Sequence, residues 1–169
     1  MEPHRTEHPR TTDDVSTLAD LLDDFPLTMI VTLDDEGHPV SQPFAMQQQH
    51  HRFDGDLWFL VSAESSTAQR LERNPIVNLA FSSNGSWVSV TGHAELSTEQ
   101  APIDRMWDAS VEAWFPGGRT DPNIRALIVH TDSAEYWDTP GSTIATVFSF
   151  VKSKVTGTPI EIDNEKIEL

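Results

Sequence analysis

Residues 76–96 read IVNLAFSSNGSWVSVTGHAEL, and this stretch decides the fold. Ile76–Phe81 and Trp87–Leu96 are runs rich in β-branched and aromatic residues, joined by Ser-Ser-Asn-Gly. Asn-Gly between two such runs is the strongest short-range signal for an antiparallel hairpin, because both residues tolerate a positive φ. Upstream, Leu27–Leu33 reads as a largely buried strand. Asp34-Asp35-Glu36-Gly37 then turns the chain with Gly at the permissive position. The chain returns from His38 to Gln47, where Pro39 and Pro43 predict an edge strand or a bulge. Gln48–Asp56 is a polar loop, and Leu57–Ser62 is a third strand. Downstream, Ile124–Thr131 extends as a strand to Trp137, and Thr143–Val151 reads as another. Ile160, Ile162 and Ile167 are weak strand cues in the tail.

Helices punctuate these strands. Val15, Leu18, Leu22 and Phe25 share one face of a helix over Asp14–Asp24, capped by Thr12 or Asp13 and stopped at Pro26. Ser66 and Gln69 have the spacing of a capping box, and that helix ends at Asn74-Pro75. Ile103, Trp107, Val111 and Trp114 predict one amphipathic helix over Thr98–Trp114, broken by Phe115-Pro116-Gly117-Gly118. Short strands in hairpins with few helices predict a mainly β (α+β) architecture, an antiparallel barrel with helices over its ends. The strands do not alternate with helices regularly enough for a doubly wound fold.

Composition narrows the function. The chain has 169 residues, with Lys+Arg 11 against Asp+Glu 27, a formal net charge of −16. Nucleic acid and anionic membrane surfaces are bound through clustered cations, so both are excluded as partners. Cys is 0, which removes disulfides, thiolate catalysis and zinc fingers. The lysines, Lys152, Lys154 and Lys166, all come late, so no Schiff-base or phosphate-loop lysine stands in the body of the domain. Met1-Glu2-Pro3-His4-Arg5 is not a signal-peptide core, and no apolar run has the length of a membrane span. The expected location is cytoplasmic. The expected organisation is a flexible N-terminus over residues 1–12, a barrel domain over 13–153 and an acidic tail over 154–169.

Sequence motifs for chemistry are few. No Gly-rich dinucleotide fingerprint, nucleophile elbow or phosphate loop is present. His50-His51 lies in a Gln-rich loop and reads as solvated rather than metal-binding. His93 and His130 lie in strands, where structural hydrogen bonds are the simpler role. The carboxylates are scattered, so spacing identifies no catalytic acid or base. Five tryptophans are a high density for this length. Periodicity assigns Trp107 to core packing, while Trp114, beside the Pro-Gly-Gly loop, is equally suited to packing or to the wall of a flat-ring site.

The order of these segments resembles the general stress protein branch of the pyridoxamine 5'-phosphate oxidase-like, FMN-binding split-barrel family. The matching pieces are Asp34-Asp35-Glu36-Gly37-His38-Pro39 leading to Ser41-Gln42-Pro43, then Leu57–Ser62 and Asn74-Pro75. They continue with Val88–Leu96, Ala113–Gly118 and Ala134–Asp138. The resemblance implies a six-stranded antiparallel split β-barrel, forming a homodimer with two FMN sites at the subunit interface. It places the flavin against Gln42, Pro43, Phe44 and Gln47 of the second strand, and Leu60, Val61 and Ser62 of the third. Ser65, Ser66 and Thr67 follow at the next helix start, and Trp114 is the partner subunit's contribution.

In that family cations on the second strand and at the start of the helix after the third strand hold the flavin phosphate, and the chain departs from the family there. Gln42 stands where the family commonly has Arg, and Thr67 where it has Lys. In the oxidases themselves, further cations occupy the positions of Gln47 and Ser66. The segment from Thr156-Gly157-Thr158-Pro159 onward carries no Arg-x-His element, so pyridoxamine phosphate oxidase activity is not expected. The resemblance implies a low-activity flavin-dependent oxidoreductase. The alternatives are a cofactor-free split-barrel dimer acting as a binding or structural module, and a deazaflavin-dependent reductase.

Overall fold

The computed structural model describes residues 12–47, 53–83, 85–138 and 163–168. The expected strand at Thr143–Val151, the loop pair His50-His51 and the first eleven residues lie outside them. Along the chain the elements are α1 (Thr12–Leu22), β1 (Leu27–Leu33), β2 (Pro39–Ala45), β3 (Asp56–Ser62), α2 (Ser66–Arg73), β4 (Ile76–Ser82) and β5 (Ser86–Ser97). They continue with α3 (Gln100–Met106), α4 (Ala109–Glu112), β6 (Ile124–Asp138) and β7 (Asp163–Glu168).

All pairings are antiparallel, in the order β2-β1-β4-β5-β6-β3. β6 is long enough to bind two strands on one side, β3 through Ile124–His130 and β7 through Ser133–Asp138. The sheet is curled into a half-barrel. Phe44 on one terminal strand meets Phe59 on the other edge-on, with ring centroids 5.9 Å apart and planes at 74°. Helix α2 lies against β1, β3 and β5 and so spans the curl.

Alternation along the strands explains the core. β3 and β4 bury every second residue, and Phe59 and Leu79 are both fully enclosed. Leu18 and Leu22 of α1, with Phe25 just beyond the helix, belong to the same core. A second cluster lies on the other side of β3 and β6. There Ile103, Met106, Ile124 and Ala126 are covered by Trp58, Leu60, Trp107 and Phe115. Trp107 therefore packs, as its periodicity predicts.

The hairpins are turned by the expected glycines. Gly37 has φ 81° and Gly85 φ 103°. The Asp34 carboxylate accepts from the N–H groups of Glu36 and His38 and holds the first turn closed. Gly92 sits at a register shift between β5 and β6, where a Cβ would overlap the His130 carbonyl oxygen.

Two expectations are corrected. Thr98–Trp114 is not one helix: Trp107 is extended (φ −79°, ψ 121°) between α3 and α4. Asp108 starts α4 anew, its carboxylate accepting from the N–H groups of Ser110 and Val111. The cap of α2 is Ser65, one residue before the expected Ser66, and its hydroxyl accepts from Ala68 N–H at 3.1 Å. A cap acceptor reaches the third helical residue, and Ser65 stands at that distance.

Candidate functional site

The side chains that the sequence singles out fall into three places. The first is a polar chain at the start of α2. Inward-facing positions of β1 and β2 are opposed in pairs, Thr32 with Val40 and Ile30 with Gln42. This register aims Gln42 at the helix that follows β3. The Ser65 cap fixes the first turn of α2 and buries Thr67 beneath it. The Thr67 hydroxyl donates to Gln42 Oε1, twenty-five residues away in sequence. It also accepts from Arg70 Nη2 at 3.4 Å, and Arg70 Nε donates to Thr32 Oγ1 at 2.8 Å. Gln42, Thr67, Arg70 and Thr32 thus link β2, α2 and β1 in one hydrogen-bonded run.

Arg70 follows one turn beyond Thr67, as its spacing in the sequence predicts, so both share a face of α2. Thr32, its partner on β1, is the member of the run that carries no signal in the sequence. Ser66 beside them is exposed. Ser62 Oγ accepts from Glu64 N–H at 3.2 Å and shapes the entry to the helix.

The second place is the barrel wall. Phe44 faces Phe59 inside the curl, whereas Pro43 is on the outer surface opposite Met29. Val61 belongs to the main core, and Leu60 faces the second cluster under α3. Gln47 stands apart from the polar run. It lines a cleft with Asp23, Phe25, Pro26, Ala45, Met46 and Ser110. Trp114 is apart too, after α4, and 82% exposed.

The third place joins the two strand histidines. His130 Nδ1 is 3.0 Å from Asp56 Oδ1 and its Nε2 is 3.2 Å from Glu95 Oε2. The His93 ring lies 5.1 Å from the His130 ring, and its Nδ1 is 3.5 Å from Asp132 Oδ1. Burial works against the charged imidazole of His130. The bonds to Glu95 and Asp56, with their charges, outweigh it and raise the pKa above the ordinary value. A raised folded-state pKa contributes stability that is fully present below the unfolded value, near 6.5, and is lost as pH rises through the folded value. Unfolding stability measured from about pH 6 upward should decline through that window, and H130Q should flatten the decline. An unchanged slope in H130Q would remove the histidine as its source. Among the described residues no group of His, Asp or Glu is arranged to hold a metal ion. No helix among them is long and apolar enough to cross a membrane.

Comparison with known proteins agrees with this fold. A family model described as pyridoxamine 5'-phosphate oxidase like matches residues 13–161. Protein bli-3 of Neurospora crassa is 25% identical over 118 residues, 64% of this chain and 56% of that protein. General stress protein 26 of Bacillus subtilis is 30% identical over 77 residues, 43% of this chain and 54% of that protein. The chain thus spans little more than half the length of these two relatives. The crystal structure of the general stress FMN/FAD binding protein from Xanthomonas citri is 28% identical, with a TM-score of 0.63. The match covers 78% of this chain and 93% of that one.

Proposed function

The chain belongs to the pyridoxamine 5'-phosphate oxidase-like family, and from that premise we propose that it is a homodimeric, FMN-binding, low-activity oxidoreductase. The observation that carries this reading is that Gln42 and Thr67 meet beside the guanidinium of Arg70. These are the two positions to which the resemblance assigns the flavin phosphate, and they meet across β2 and α2. The residues around them suit such an anion: hydroxyls at a capped helix start and a guanidinium behind them. Bound flavin would supply the hydride or electron transfer. The chain's own part is to hold the phosphate at α2 and to set the ring against β2 and β3, with Trp114 of the partner subunit closing the site.

The dimer reading draws on charge. β1, β2 and β4 contain no Asp, Glu, Lys or Arg. On their outer face Leu27 and Ile76 are more than half exposed, at 57% and 54%, and Met29 is 39% exposed. Two chains of formal charge −16 repel, and this face lets them approach without juxtaposing like charges. The competing reading is a cofactor-free module. It draws on the neutrality of Gln42 and Thr67, which satisfy each other without a ligand.

One preparation tests both halves. After addition of excess FMN and removal of free ligand, the protein should keep a flavin absorbance band. Light scattering should give twice the 18.9 kDa of one chain. A colourless dimer, with no fluorescence quenching on FMN titration, would favour the cofactor-free module. A monomer would overturn the shared site.

A further inference from the structure

A guanidinium stays charged at any physiological pH, so drawing it away from water is costly unless negative charge faces it. Carboxylates abound in this chain, Asp+Glu 27 against Lys+Arg 11. Arg73 has found one, its Nη2 2.7 Å from Asp35 Oδ1. Arg119 reaches Asp104 at 4.0 Å. Arg70 is different. It is half-buried, and its bonds go to the hydroxyls of Thr32 and Thr67, which are themselves 2% and 1% exposed. Neither hydroxyl brings negative charge. Among the described residues Arg70 makes no ion pair with a carboxylate, and Nη1 takes part in neither of its two bonds.

Two hydroxyls therefore fix a cation in the wall of the cradle, with no carboxylate paired to it among the described residues. Beside it lies the neutral pair Gln42 and Thr67, at the positions where cations are expected. We propose that Arg70 is the phosphate-binding cation of this protein, anchoring a phosphomonoester from one turn further along α2 in place of the two cations that the neutral pair lacks. This rests on the flavin reading for the identity of the ligand, but not for the presence of an anion site. Thr32 and Thr67 act as positioning residues: they hold the planar fork so that its remaining N–H groups are arrayed for one ligand. The Thr67 hydroxyl both accepts from Arg70 and donates to Gln42, so the side chains of β2 and β1 are aligned through it.

FMN and riboflavin differ only by the phosphate, so the ratio of their affinities isolates the anchor. In the wild type, FMN should bind more tightly than riboflavin by about 10- to 100-fold, the range for one charge-assisted hydrogen bond or fork. R70Q should collapse that ratio to within about threefold while leaving riboflavin nearly unchanged. R70K keeps the charge but loses the fork and should give an intermediate ratio. T32V, which leaves the guanidinium charged but unfixed, should lower it less than R70Q does. Circular dichroism confirms that each variant is folded, and R70K serves where R70Q is not. An FMN-to-riboflavin ratio in R70Q or R70K equal to that of the wild type would overturn the proposal. If neither flavin binds the wild type, the flavin reading fails and inorganic phosphate becomes the probe. A phosphate-dependent shift of the Arg70 Nε–H resonance, absent in T32V or weakened there, would uphold the anion anchor. No shift at Arg70 would overturn it.

Discussion

Changing Gln42 to Arg and Thr67 to Lys together is expected to tighten FMN by roughly two to four orders of magnitude. Each restored charge-assisted bond to a phosphate contributes about 1.5–3 kcal/mol, and every 1.4 kcal/mol is about tenfold in Kd. The pair must be changed together. Gln42 is exposed and can lengthen without displacing anything, but Thr67 is buried under the first turn of α2. T67K alone removes the hydroxyl that Gln42 Oε1 accepts from and that Arg70 donates to, so it disorders the run it is meant to strengthen. With Arg at position 42, the partner that would be orphaned is gone as well. The added lysine also stands beside Arg70, and repulsion between the two cations holds the gain toward the lower end until phosphate neutralises them. Fluorescence titration with FMN, with riboflavin as control, reads the effect. A gain for FMN alone is expected. Unchanged FMN affinity in a folded double variant would place the flavin phosphate elsewhere.

What the sequence makes legible here is local, and what it hides is non-local. The β4–β5 hairpin is written in alternation and in Ser-Ser-Asn-Gly, and the β1–β2 turn in Asp34 and Gly37, because each turn is closed by residues adjacent in the chain. The break between α3 and α4 is hidden because Ile103, Trp107 and Val111 keep their helical spacing through it. Asp108 as a fresh cap was the signal, overridden by the longer apolar pattern. In the sequence β7 is signalled by one apolar residue, Ile167, in an acidic tail, too little to predict its pairing. It follows instead from β6, whose fifteen residues outrun the seven of β3. The site divides in the same way. The Ser65 cap is readable within a residue, since a cap bond spans three positions. Arg70 and Thr32 are thirty-eight residues apart, and no periodicity joins a helix residue to a strand residue across that distance. Only the curl of the sheet brings them together.

That curl is the basis of the other large effect: F59A should lower stability by about 3–5 kcal/mol, the range for truncating a buried Phe. Against a total of roughly 5–15 kcal/mol this is a large fraction, and at about 2–4 °C per kcal/mol for a chain of this size it is a fall of about 6–20 °C in Tm. The upper part of the range is expected because the cavity has no easy way to collapse. Phe59 is 0% exposed, and β3 is held to β6 in register from Asp56 to Ser62. Its aromatic neighbour Phe44 sits on β2, whose ladder bonds among the described residues run to β1 alone. The strands cannot close the gap without giving up backbone bonds, so the void stays or the edges part. If they part, β2 carries Gln42 away from Thr67, and FMN binding should weaken in F59A even at temperatures where the chain is folded. L79A is the comparison. Leu79 is equally enclosed at 0% exposure, but it lies on β4, bonded on both sides to β1 and β5. It should cost about 2–5 kcal/mol with little change in FMN affinity of the folded protein. Equal loss of FMN affinity in the two variants would mean that Phe59 contributes bulk stability only, and that the meeting of Gln42 with Thr67 is held by α2 rather than by the closure of the edges.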